Sequence, residues 1–67
     1  MAMKIKVNGV EREVPDGANV LALLAESKLK PQTVAVEVNR RLLRTEKYDQ
    51  PLKPGDEVEI VTFVGGG

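Results

Sequence analysis

The sequence predicts a small α+β domain in which one helix packs across one face of a mixed sheet of four to five strands. Three observations lead to this prediction. Residues 3–7 and 57–60 alternate apolar and charged side chains, with the period of two that is typical of a half-buried strand. An Asn-Gly pair joins residues 3–7 to a second alternating run. Apolar residues recur at helical spacing in one stretch, residues 20–27.

The first two strands are predicted to form a hairpin with a fixed register. Asn8-Gly9 is a strong signal for a two-residue turn, because both central positions of that turn favour φ > 0. The predicted cross-strand pairs are Val7–Val10, Lys6–Glu11, Lys4–Glu13 and Met3–Val14. Arg12 lies opposite Ile5 on the apolar face, which indicates that the second strand is at a sheet edge, where a long side chain reaches water.

A short helix is predicted to follow the turn at residues 15–17. Asn19 is the expected N-cap, and Pro31 sets the latest point at which the helix can end. The predicted apolar stripe consists of Val20, Leu23, Leu24 and Ser27, with Leu21 and Ala22 beside it. About ten residues are too few for a stable isolated helix, so this one requires a sheet to pack on.

Further strands are predicted at residues 34–38, 41–43 and 57–64, with one helical turn around Tyr48 in the polar stretch 44–51. A helix crossing one sheet face returns the later strands to the side of the first. The first and last strands then pair in parallel at the centre, which is the β-grasp arrangement. The predicted sheet residues of the core are Val7, Val10, Val14, Val36, Val38, Val58 and Ile60.

Composition excludes several classes of function. Apolar residues make up 42% of the chain, as in globular domains. Cysteine and histidine are absent, which removes the usual zinc ligands and nucleophile–base pairs, so we expect no metal site. Ten basic and ten acidic residues cancel, which argues against a nucleic-acid partner. No apolar run approaches the roughly 20 residues that span a bilayer, so we expect no membrane partner and a cytoplasmic location.

The last predicted strand breaks the alternation of apolar and charged residues. Val61 and Phe63 fall on the outer face that Glu57 and Glu59 occupy, although both are apolar. Exposed apolar residues at this place suggest a docking surface, and the predicted docking residues are Val61, Phe63 and Val64. The alternative is that the stretch 44–51 covers them.

Three glycines, Gly65, Gly66 and Gly67, follow this strand. Without a Cβ the segment is thin, and three extended residues reach about 10 Å. It could therefore enter a narrow active site. We expect a domain at residues 1–64 and a flexible tail at 65–67; the alternatives for the tail are a frayed end or a cloning remnant.

The order of these segments resembles the ThiS family, the ubiquitin-like sulfur carriers of thiamine thiazole synthesis. The matching segments are residues 3–9, 14–17 leading into 20–24, 34–39, and 55–61 running into the glycines. The resemblance implies that the chain is not an enzyme and binds no cofactor itself. It assigns the reactive carboxylate to Gly67 and implies that the tail Gly65–Gly66–Gly67 enters the active site of a partner enzyme. A third glycine, Gly65, departs from the family's usual pair, and Asn19 stands where threonine is common.

The resemblance also implies partners. A ThiF-like enzyme would adenylate the carboxylate with ATP and Mg²⁺, a persulfide donor would supply sulfur, and the thiocarboxylate would pass that sulfur to a ThiG-like thiazole synthase. Two alternatives remain: a MoaD-like carrier for molybdopterin synthesis, or a ubiquitin-like binding module whose tail is incidental. An enzyme would have to use Arg44, Glu46, Tyr48 and Asp49.

Overall fold

Five strands form one mixed sheet in the computed structural model, which describes residues 1–63. In chain order the elements are β1 (Ala2–Val7), β2 (Val10–Pro15), α1 (Val20–Glu26), β3 (Val34–Val38), β4 (Arg41–Leu43) and β5 (Glu57–Thr62). Single 3₁₀ turns lie at Pro31–Thr33 and Thr45–Lys47. The strand order β2-β1-β5-β3-β4 confirms the predicted α+β architecture of a mixed sheet with one helix. The last strand was predicted to run to Val64, but β5 ends at Thr62, and Val64 lies outside the described residues.

The β1–β2 hairpin has the predicted register. Val7 pairs with Val10 and Met3 with Val14, and Arg12 faces Ile5. Asn8 and Gly9 have φ values of 51° and 83°, as a two-residue turn of this type requires. The prediction that β2 lies at the sheet edge is also confirmed.

The last strand occupies the centre of the sheet. β5 runs parallel to β1, with Val7 beside Val58, and antiparallel to β3, with Val36 beside Ile60. The predicted parallel pairing of the first and last strands is therefore confirmed. β3 continues into the edge strand β4 through Asn39 and Arg40, whose φ values of 53° and 69° form a second tight turn.

Helix α1 begins as predicted and ends earlier. The Asn19 side chain accepts a hydrogen bond from the Ala22 N–H at 2.9 Å, which confirms the N-cap. The helix has seven residues, whereas about ten were predicted. Lys28 adopts φ 57°, and the N–H of Leu29 donates to the Leu24 carbonyl, which is the Schellman arrangement that ends a helix.

The core lies between α1 and the inner face of the sheet. Its most deeply buried side chains are Ile5, Val20, Leu24, Val36 and Val58. Two predicted members are wrong: Val10 is 63% exposed, and Ser27 is exposed. Val10 borders the hairpin turn and Ser27 caps the helix, so neither is covered by the opposite layer. Val7, Val38 and Ile60 are half-buried at the margin of the core.

The stretch between β4 and β5 closes the open side of the core. Tyr48 is 3% exposed and Leu52 is 8% exposed, and both belong to the core cluster. Backbone hydrogen bonds attach this stretch to the start of α1: the Leu52 N–H donates to Ala18 and the Leu21 N–H donates to Tyr48. The predicted helical turn next to Tyr48 is present as the 3₁₀ turn.

Arg12 shares the inner side of the sheet with the helix. It reaches across to Glu26 in the last turn of α1, where the two side chains form an ion pair. The Arg12 side chain is 34% exposed, in agreement with the prediction that it reaches water. Within residues 1–63, no helix has the length and apolar character needed to cross a membrane.

Candidate functional site

The outer face of the sheet, opposite the helix, carries the candidate site. Successive side chains of a strand point to opposite faces of the sheet, so the residues that alternate with the core residues lie on this outer face. The outer face consists of Lys4 and Lys6 on β1, Glu11 and Glu13 on β2, Ala35 and Glu37 on β3, Leu42 on β4, and Glu57, Glu59 and Val61 on β5.

An apolar patch occupies the end of this face where β5 stops. We define the apolar patch as Ala35, Leu42, Val61 and Phe63. Val61 and Phe63 are each 59% exposed and Leu42 is 70% exposed. The predicted exposure of Val61 and Phe63 is therefore confirmed. The alternative, that residues 44–51 cover them, is wrong, because that stretch turns its Tyr48 into the core instead.

Two members of the patch were missed from the sequence. Ala35 lies directly opposite Val61, and Leu42 lies opposite Glu37 on the neighbouring strand pair. A shallow depression of about 400 Å³ is lined by Ala35 and Leu42 together with Arg44, Thr45, Glu46 and Tyr48. For Leu42 the signal was available, because the Asn39-Arg40 turn fixes the β3–β4 register in the way that Asn8-Gly9 fixes the first hairpin.

Hydrogen bonds hold the end of β5 on both sides. The Phe63 N–H donates to the Thr33 carbonyl at 3.0 Å, which extends the β3 pairing by one residue beyond Thr62. On the β1 side, the Asn8 Oδ1 accepts from the Ile60 N–H at 2.8 Å. The backbone that leads out of the apolar patch is therefore fixed to two neighbouring strands. The remaining predicted site residues, Val64 and Gly65–Gly66–Gly67, lie outside the described residues.

Charged side chains fill the rest of the outer face. It carries five glutamates and two lysines, which makes it acidic although the whole chain is neutral. The apolar patch therefore has Glu37 and Glu59 on one side, whereas Arg44 lines the depression beside Ala35 and Leu42.

Three of the four polar residues considered for an enzyme, Arg44, Glu46 and Tyr48, line the shallow depression beside the apolar patch. Tyr48 is buried as a core residue, whereas Arg44, Glu46 and Asp49 are exposed around it. The part of the chain that the structure describes contains no group of three or more potential metal-ligating side chains. Nor does it contain a buried side-chain polar atom that lacks a hydrogen-bond partner.

A mixed five-stranded sheet crossed by one helix, with a central parallel pair, defines the ubiquitin-like β-grasp class. Comparison with known families makes the assignment more specific. The model of the ThiS family matches residues 5–67, so the chain belongs to the ThiS family. The match extends through the glycine segment.

Comparison with individual proteins agrees with this assignment. The sulfur carrier protein ThiS of Bacillus subtilis is 40% identical over 53 residues, which are 78% of this chain and 80% of that protein. The crystal structure of the thiamine biosynthesis protein ThiS from Geobacter metallireducens superposes with a TM-score of 0.73. It is 41% identical, and the match covers 97% of this chain and all of that one.

Longer proteins also contain a matching segment. A thiazole synthase of Paramagnetospirillum magneticum is 41% identical over 66 residues, and one of Magnetococcus marinus is 35% identical over the same length. The chain spans about a fifth of the length of these two relatives, as the 20% coverage of each shows.

Proposed function

We propose that this chain, as a ThiS-family sulfur carrier of thiamine biosynthesis, carries sulfur as a thiocarboxylate on the carboxyl carbon of Gly67. The observation that supports this most is the family match, which continues from the β-grasp domain through Gly65, Gly66 and Gly67. The side-chain composition agrees with it. A chain without cysteine or histidine has no thiolate or imidazole of its own to trap an activated acyl group at Gly67.

The chemistry requires activation of that carboxylate, because an anion is a poor electrophile. In the proposed first step the Gly67 carboxylate attacks the α-phosphorus of ATP and pyrophosphate leaves, on a ThiF-like enzyme that supplies Mg²⁺. The terminal sulfur of a persulfide donor then attacks the acyl carbon and AMP leaves. A thiol cleaves the resulting acyl disulfide, which releases the thiocarboxylate and leaves the donor as a disulfide. The ATP requirement is consistent with a cytoplasmic location.

In this proposal the chain is a protein cosubstrate, and partner enzymes perform the catalysis. The sulfur acceptor is a ThiG-like thiazole synthase. Support for that partner comes from the two thiazole synthases that contain a segment similar to this chain. Partners in thiamine biosynthesis are favoured over molybdopterin synthesis for the same reason, because the relatives described above are thiamine or thiazole proteins.

The apolar patch is the proposed docking surface for the activating enzyme, with Val61, Phe63 and Val64 as its contacts nearest the glycines. Phe63 is exposed, and its backbone is fixed by Thr33. Four residues separate Phe63 from the carboxyl group of Gly67, and four extended residues reach about 14 Å. A partner that grips the patch would therefore have to keep its reactive centre within that distance.

Intact mass spectrometry tests the reaction directly. After incubation with the ThiF-like enzyme, ATP, Mg²⁺ and a persulfide donor, the C-terminal peptide should gain the mass difference between one sulfur and one oxygen atom. The control is a variant that lacks Gly66 and Gly67, which should fold equally well and remain unmodified. An unchanged wild-type mass with an enzyme known to be active would refute the proposal.

Substitution of Phe63 tests the docking surface. Phe63→Asp should weaken binding to the ThiF-like enzyme while the melting temperature stays close to that of the wild type, because the side chain is 59% exposed. Val10→Asp is the matched control, since Val10 is 63% exposed but lies at the hairpin turn, away from the patch. Equal losses of affinity in the two variants would argue for a nonspecific charge effect. Loss of stability without loss of binding would show that Phe63 serves the fold.

A further inference from the structure

The charged residues of the outer face are paired by the strand register, with one exception. Lys4 lies opposite Glu13, and Lys6 lies between Glu11 on β2 and Glu57 on β5. These placements put a positive charge beside a negative one on adjacent strands, which stabilises a sheet. Both lysines of the face are used in this way.

The exception is a pair of glutamates. Glu37 on β3 lies directly opposite Glu59 on β5, and both side chains are exposed on the outer face. Side chains in such a position have Cβ atoms about 4.5–5.5 Å apart, and like charges there destabilise the sheet. The ion pairs found within residues 1–63 are those of the Met1 amino group with Asp16 and of Arg12 with Glu26, and neither includes a charged residue of the outer face. Arg40 lines a shallow depression with Glu59 but does not form an ion pair with it.

The glutamate pair borders the apolar patch. The next pair along the same two strands is Ala35–Val61, and the residue opposite Glu37 on its other side is Leu42. A partner surface that covers Leu42 and Val61 must therefore approach both carboxylates. It would desolvate two repelling charges unless it brought a positive charge of its own.

We propose that the Glu37–Glu59 pair receives a cationic side chain, an arginine, from the activating enzyme that docks on the apolar patch. This inference rests on the proposed function, because it names the chemistry of the same docking partner. A guanidinium offers several N–H donors in one plane and is weakly hydrated, so it can bridge two carboxylates at an interface. Its aliphatic stem can pack on Leu42 or Val61. The bound state then removes the repulsion that the free carrier tolerates.

The proposal predicts that neutralising either glutamate raises the stability of the free carrier and lowers its affinity for the activating enzyme. Glu59→Gln and Glu37→Gln should each raise the melting temperature by about 2 °C, because the like-charge repulsion disappears. Each variant should also bind the ThiF-like enzyme about threefold to tenfold less tightly at low salt, and its affinity should depend less on salt concentration. A substitution that only damaged the fold would lower both quantities.

Glu13→Gln is the matched control. Glu13 lies on the same face but opposite Lys4 at the far edge strand, so its loss should not raise the melting temperature and should leave affinity unchanged. The full chain is used throughout, with binding measured by isothermal titration at two salt concentrations and melting by circular dichroism.

Four outcomes are distinguishable. Higher stability with lower affinity in the Glu37 and Glu59 variants, together with an unchanged control, supports the proposal. Unchanged affinity in carriers that still gain sulfur overturns this inference and leaves the proposed function intact. A wild-type carrier that binds but never gains sulfur refutes the proposed function instead. If wild type self-associates in sedimentation and the variants do not, the pair contacts a second copy, which also overturns the inference.

Discussion

Asn39 joins the β3–β4 turn to the segment that enters β5, and its replacement is expected to be costly although the residue is exposed. Its Nδ2 donates to Asp56 Oδ1 at 2.9 Å, and its Oδ1 accepts from the Glu57 N–H at 3.0 Å. Asp56 in turn accepts from the Lys53 N–H at 2.8 Å. These bonds attach the β3–β4 turn to the start of β5. Asn39 does this with φ 53°, a conformation that asparagine tolerates better than most residues.

Two terms determine the expected cost of Asn39→Ala. The two lost hydrogen bonds are solvent-exposed, so each contributes about 0.5–1 kcal/mol. An alanine held at positive φ costs about 1 kcal/mol more. The sum is about 2–3 kcal/mol, a large share of the total of roughly 3–10 kcal/mol expected for a domain of this size. The melting temperature should fall by about 8–24 °C.

Asn39→Gly separates the two terms, because glycine adopts positive φ without strain but also lacks the side chain. It should destabilise the domain by about 1–2 kcal/mol, less than alanine does. Urea denaturation gives both free energies of unfolding, and hydrogen exchange at the Glu57 amide reports the local contact. Equal stabilities of the alanine and glycine variants would refute the strain argument. A loss below about 0.5 kcal/mol in both would refute the bracing role.

Two further predictions concern helix α1. Asn19→Ala removes the N-cap and should lower stability by about 1 kcal/mol in urea denaturation, whereas Asn19→Ser should retain most of it; equal losses would show that the cap contributes nothing. The Arg12–Glu26 ion pair is expected to have a coupling energy of about 0.5 kcal/mol in a double-mutant cycle with Arg12→Met and Glu26→Gln, because both side chains are partly exposed. A coupling above about 2 kcal/mol would contradict this estimate.

Local rules were sufficient for most of the fold. Asn8-Gly9 determined the hairpin register, and Asn19 determined where the helix begins, because each acts through its immediate neighbours. The helix end could not be found in the same way. Pro31 gave only an upper limit, and the actual stop depends on Lys28 at positive φ, which lysine adopts rarely.

The failures share a physical cause, which is the dependence of burial on distant elements. Alternation assigned Val10 correctly to the helix side of the sheet, but α1 is too short to cover the hairpin turn. Tyr48 and Leu52 are core residues because hydrogen bonds to Ala18 and Leu21 attach their stretch to the helix start. No periodic pattern in residues 44–52 indicates such an attachment.

The part of the candidate site that lies on β5 was predicted, because it can be identified from the pattern of that one strand. Val61 and Phe63 were found because the alternation of β5 breaks there, and both are exposed. Ala35 beside Val61 and the Glu37–Glu59 pair depend on the pairing of β3 with β5, so they require the sheet order as well as the strand positions. The sequence predicted that order only as far as the central parallel pair.

In β5, the residues that stabilise the fold alternate with the residues proposed to contact a partner. Val58 and Ile60 pack on the helix side of the sheet. The residues that follow them in the chain, Glu59 and Val61, point to the outer face. A substitution at Glu59 or Val61 therefore leaves the core unchanged, because adjacent side chains on a strand contact opposite layers. This separation allows the outer face to retain exposed apolar groups and a repelling glutamate pair. Their cost to the fold is small enough for the helix-side core to offset, and a docking partner would recover it on binding.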